Sequence, residues 1–182
     1  MILLLLLALA VALVPLFGGN LRALSGLRFR APWLLWASLG CLALLITLPG
    51  EQTWWRTALN IGTYPLALAF AWINRRVPGM WVIMAGATLN LAAILANGGV
   101  MPASLHALQV AGLPTTSGLY SNSAALADPR LLFLGDVLPI PSSWPFANVY
   151  SVGDVLIVLG AAFMIHRVCG SRLAGRPKPA TS

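Results

Sequence analysis

The chain has 182 residues, 59% of them hydrophobic and only 8% charged, with a net charge of +7 and a mean hydropathy of +0.85. A soluble domain carries roughly 25% charged residues, so the composition argues against an ordinary soluble fold. Apolar runs of about 16 to 20 residues read instead as transmembrane helices. The positive charge is then a topology signal, and nucleic acid is not an expected partner.

Residues 1–17, MILLLLLALAVALVPLF, form the first predicted span. They lack the basic start of a signal peptide and a clear small-x-small cleavage site. Arg22, Arg28 and Arg30 follow, which points to an uncleaved anchor with its N-terminus outside; a cleaved signal is the alternative. The linker 18–31 holds those arginines and no acid, which places it in the cytoplasm. The second span, 32–48, carries Trp33 and Trp36 at its inner end, and 49–53 is a short outer turn. The third span, 54–73, is interrupted by Asn60 and Pro65, whose backbone and side chains need partners from other helices. Residues 74–79 turn the chain inside and the fourth span covers 80–96.

From 97 to 150 no apolar run reaches spanning length, and Pro, Ser, Gly and Asn are frequent. This segment is read as an extracytoplasmic loop with short helices, turns or a small sheet of its own. The fifth span is 151–167. Residues 1–168 thus make one membrane domain, and 169–182 a disordered basic cytoplasmic tail. Nine of the eleven basic residues fall on the assigned inner side and all four acids outside, as the positive-inside rule asks. Six tryptophans sit at predicted span ends. The predicted fold is an all-α, five-helix transmembrane bundle under a loop cap, in contact with the lipid bilayer. Its helices are expected to meet at Gly40, Gly62, Gly86 and Gly160, where small residues let backbones approach.

Chemical motifs are few. There is no Cys/His cluster of metal-ligand spacing, no P-loop, no dinucleotide fingerprint and no Gly-x-Ser-x-Gly elbow, so neither metal nor cofactor is expected. Cys41 and Cys169 are not expected to meet, and His106 and His166 read as ordinary loop and helix-end residues. The polar features gather on one side. Asn97, Gly98, Gly99 and Pro102 leave the fourth helix, while Ser151 and Gly153 enter the fifth, and these six are the candidate binding residues. Asp136 and Asp154 are acids embedded in apolar sequence and the candidate catalytic pair. Two carboxylates brought together split their pKa values, one serving as base and one as acid. The competing reading is structural: Asp154 caps its helix and Asp136 makes a turn before Pro139.

The stretches NGGVMP, LGDVLPIP and SVGDVLIVLG resemble the uncharacterised bacterial membrane family called domain of unknown function 5317. That resemblance implies a multi-pass protein of a bacterial plasma membrane, N-terminus outside and C-terminus cytoplasmic, and no assigned activity. More locally, Tyr150-Ser-Val-Gly-Asp154-Val-Leu-Ile157-Val-Leu-Gly160 resembles the last helix of lipoprotein signal peptidases, whose Asp is catalytic. Tyr150-Ser151 stands where those enzymes have Phe-Asn, and Ala93 stands where their other Asp belongs. Three functions follow as expectations. The first is a non-enzymatic membrane protein whose polar outer site binds a membrane-protein partner. The second is an aspartyl intramembrane hydrolase acting on a peptide or lipid-linked substrate. The third is a small transporter or channel component lined by Asn60, Asn90 and Asp154.

Overall fold

The structure, a computed structural model, describes residues 2–47, 53–115 and 123–175. Five long helices carry the apolar runs: α1 (Ile2–Leu16), α2 (Pro32–Thr47), α3 (Trp54–Ile73), α4 (Met80–Ala96) and α6 (Val152–Val168). Between α4 and α6 lie β1 (Met101–Pro102), the short helix α5 (Leu105–Val110), β2 (Ser123–Ala124), β3 (Asp136–Ile140) and β4 (Asn148–Ser151). The fold is mostly helical with two small sheets, which corrects the all-α expectation.

The transmembrane expectation is also corrected. Among the described residues no helix is long and apolar enough to cross a membrane. The reason is geometric. Helices α1, α2, α4 and α6 have 15 to 17 residues, about 22 to 26 Å at 1.5 Å per residue, against a hydrocarbon core of about 30 Å. Helix α3 reaches 20 residues, but Arg56, Thr57, Asn60, Thr63 and Tyr64 dilute its apolar character. The five spans, the multi-pass plasma-membrane location and the N-out, C-in orientation fall together. Charge is nonetheless segregated. Arg22, Arg28, Arg30, Arg75, Arg76, Arg167 and Arg172 all lie toward the end where α4 begins and α6 finishes, and Asp128, Asp136 and Asp154 toward the cap.

Helix α4 packs chiefly on α6, α3 joins α2 to α4, and α1 lies along α6. The α4–α6 pair runs antiparallel on two glycine contacts seven residues apart. A Cβ on Gly79 would strike the Gly160 carbonyl, and one on Gly86 would strike the Gly153 carbonyl. Gly86 and Gly160 are therefore contact glycines, as the sequence suggests, whereas Gly40 and Gly62 face open space. Val14, Ile165 and Cys169 seal α1 to α6, and Leu34, Phe70, Ala71 and Met80 fill the space between α2, α3 and α4. Many large apolar residues stay outside, with Trp36 70% and Trp54 82% exposed.

Residues 97–115 and 123–151 cap one end of the helices. Strand β1 pairs parallel with β2, β3 pairs antiparallel with β4, and a bridge from Ala103 to Asp136 links the two sheets. Ala103, Ala107, Leu108, Ala111 and Val149 form the cap's own apolar core. Cys41 and Cys169 are both free thiols. Of the expected disordered tail, Arg172–Ala174 form a 3-10 turn whose cap, Ser171, also bonds His166 at 2.9 Å, and Cys169 is buried against α1; residues 176–182 lie outside the described residues.

Candidate functional site

Strand β4 runs straight into α6, so Ser151 is both the last strand residue and the helix N-cap. Four orphan N–H groups at a helix start need acceptors. The Ser151 hydroxyl takes the Asp154 N–H at 2.9 Å, and the Asp154 Oδ2 takes the Ser151 N–H at 3.1 Å. This is a reciprocal capping box with Asp in the third helical position, where its charge also opposes the helix dipole.

The box is joined to α4. Asn90 Nδ2 donates to Asp154 Oδ1 at 2.9 Å, and the Ser151 hydroxyl donates to Asn90 Oδ1 at 2.8 Å. Asn90 is 2% exposed and Ser151 0%, so their hydrogen bond is made away from water, while the bond to the half-buried Asp154 is part-buried. Gly153 makes the approach possible, because a Cβ there would collide with the Asn90 amide oxygen. On α3, Tyr64 shares a side-chain hydrogen bond with Asn90. Burial, then the charges of Asp154 and Asp136, push its phenol well above the ordinary range against the lowering hydrogen bond of Asn90, so it stays neutral. Among the described residues every buried side-chain nitrogen and oxygen has a partner.

Asp136 stands opposite Ser151 in the β3–β4 ladder. Its carboxyl is buried and pushed up to about 7, first by desolvation, then by the negative charge of Asp154, against a lowering hydrogen bond from Ser123. The two acids thus feel each other, yet each is held separately, Asp136 by Ser123 and Asp154 by Asn90 and Ser151.

Below this network a cavity of about 440 Å³ runs between α2, α3, α4 and α6. Tyr64, Asn90 and Asp154 line one end, Phe29, Met80 and Met164 the other, with Leu35, Leu39, Ala67, Ile83 and Ile157 between. From Met80 to Asn90 is ten residues of α4, or roughly 15 Å of helix. The volume falls within the usual range of small-molecule pockets, about 300 to 1,000 Å³.

The remaining sequence candidates hold the cap in place and do not line this cavity. Asn97 donates to the Ala93 and Arg130 carbonyls, both at 2.7 Å, and accepts the Arg130 N–H at 2.8 Å. Gly98 and Gly99 both take positive φ, and the Gly99 carbonyl accepts the Asn60 amide at 2.8 Å. Pro102 is buried in β1. Ala93, where the signal peptidases carry an Asp, is fully buried beside Ile94 and Met101. Tyr64 and Ser123 were missed by sequence reasoning. Asn90 is expected from the sequence only as part of a polar path with Asn60 and Asp154; of these, Asn90 and Asp154 line the cavity and Asn60 does not.

Comparison with known proteins gives a family and no activity. The chain is 30% identical over 107 residues to an uncharacterized protein of Thermotoga maritima, covering 59% of this chain and 61% of that protein. The match thus spans less than two thirds of that relative's length. No solved structure matches. The profile of the family of unknown function DUF5317 matches residues 26–166, and the chain belongs to that family.

Proposed function

We propose that the protein is a non-enzymatic binder of an elongated apolar molecule bearing one hydrogen-bonding group, a class that includes the tail of a lipid-linked compound. One observation carries this reading: a largely apolar cavity of about 440 Å³ has Tyr64, Asn90 and Asp154 together at one end. A carboxylate retains acceptor capacity after two hydrogen bonds, and a phenol both donates and accepts. A hydroxyl or amide head would therefore find both kinds of partner at that end, while the tail lies against Leu39, Ile83 and Ile157. The network is already satisfied, so its geometry is fixed before a ligand arrives. Titration with 1-alkanols from hexanol to dodecanol tests the idea. Each methylene buried contributes about 0.8 kcal/mol, about three- to fourfold in affinity, until the cavity is full. Affinity that is flat with chain length refutes it.

A second reading is favoured by one observation, the rise of Asp136 to about 7 beside the charge of Asp154. An acid kept protonated near a carboxylate suits an aspartyl hydrolase. Against it, Asp136 does not line the cavity that Asp154 enters. Peptide hydrolysis abolished by both Asp136→Asn and Asp154→Asn would establish this reading in place of the first.

A further inference from the structure

At the end of the bundle away from the cap, Arg28, Arg30, Asn74, Arg75 and Arg76 surround a crevice of about 320 Å³. We propose that this crevice binds a diphosphate group. Its arginines come from two segments that Asn74 fixes side by side. Asn74 is 4% exposed; its Oδ1 accepts the Arg30 N–H at 2.8 Å, and its Nδ2 donates to the Arg30 carbonyl at 2.9 Å and the Phe70 carbonyl at 2.8 Å. The backbone bearing Arg28 and Arg30 is thereby pinned against the α3–α4 turn bearing Arg75 and Arg76. Arg75 is oriented further, its guanidinium 4.6 Å from the Trp72 ring centre and donating to the Trp72 carbonyl at 3.0 Å.

Among the described residues no acid supplies a counter-charge here. Among the described residues the side chains of Arg28, Arg30 and Arg76 make no hydrogen bond or ion pair, and the acids Asp128, Asp136 and Asp154 lie toward the cap. Cations held together repel, and a multivalent anion relieves that repulsion. Guanidinium forks match phosphate oxygens two at a time. A terminal phosphoryl group carries about −1.5 to −2 at neutral pH and the inner one of a diphosphate about −1 more, so a diphosphate offsets roughly three of the four guanidinium charges. Phe29, between Arg28 and Arg30, also lines the apolar cavity. The diphosphate is therefore either free or the head of an apolar-tailed molecule, and the crevice requires only the phosphates.

Calorimetric titration of the full chain with inorganic pyrophosphate and with geranyl diphosphate, in metal-free buffer, tests the proposal. Expected is one saturable site, weakened roughly three- to tenfold by Arg28→Gln and by Arg76→Gln, and weakened by added salt. Arg130→Gln, on the cap, should leave it unchanged. Both substituted arginines are exposed and unbonded, so the variants keep the native melting temperature. Tighter binding of geranyl diphosphate assigns the head of an apolar-tailed molecule, and equal or weaker binding assigns a free diphosphate; either supports the crevice. No saturable binding of either probe overturns it, as does binding that the crevice variants leave intact or that Arg130→Gln weakens equally. Alkanol binding with no binding of either diphosphate would overturn this inference alone and leave the cavity reading standing.

Discussion

Gly153→Ala probes the junction on which the site depends. The added methyl would overlap the Asn90 amide oxygen and lie 2.6 Å from Asn90 Cγ and 2.5 Å from the Gly86 carbonyl oxygen. Backbone stands on one side and a hydrogen-bonded amide on the other, so neither can yield cheaply. Overpacking of this kind costs about 1–3 kcal/mol. Displacing Asn90 strains its bonds to Ser151 and Asp154, at about 1–3 kcal/mol more. The better helix propensity of Ala returns about 1 kcal/mol, leaving a net loss of about 3 kcal/mol. For a chain of this size that lowers the melting temperature by about 6–12 °C, readable by circular dichroism. Gly62→Ala is the control, since a Cβ there meets nothing within 4 Å, and a stabilisation of about 0.5–1 kcal/mol is expected. If both variants melt alike, the close α4–α6 approach is wrong.

Two further outcomes follow from the buried polar groups. Asp136 holds its proton up to about 7 when folded, against 3.8 for the free group. The unfolded chain therefore releases that proton first. The contribution of Asp136 to stability is full below about pH 4, declines as pH rises to about 7, and is flat above, a loss of at most about 4 kcal/mol. Asp136→Asn should remove that slope in urea denaturation compared at about pH 5 and about pH 8; an unchanged slope contradicts the buried placement. Asn74→Ala breaks three hydrogen bonds, and should cost about 2–3 kcal/mol in denaturant titration. It should also weaken pyrophosphate binding although no charge changes.

The positions of the five long helices were legible because each apolar run ends at Gly, Pro, Asn or Arg. Their lengths mislead, because runs of 15 to 17 residues rise only about 22 to 26 Å, short of a hydrocarbon core of about 30 Å. Low charge content reflects large apolar residues left on the exterior, Trp36 and Trp54 among them. The capping role of Asp154 was readable from the Ser151-x-x-Asp154 spacing, a local signal. Its tie to Asn90, 64 residues away, was not. Nor does composition separate Gly86, which meets a neighbouring backbone, from Gly62, which faces open space. The apolar sequence around Asp136 hints at burial, but the partners that bury it, the β3–β4 pairing and Ser123, are not readable from it.

The central claim is that the cavity takes one apolar ligand. Calorimetric titration of 1-decanol into the native chain and into Ala67→Phe tests it most directly, because Ala67 lines the cavity midway between its polar and apolar ends. A single saturable site is expected in the native protein and is lost in Ala67→Phe while the melting temperature holds. Non-saturating uptake, or equal affinity in the filled variant, would contradict it.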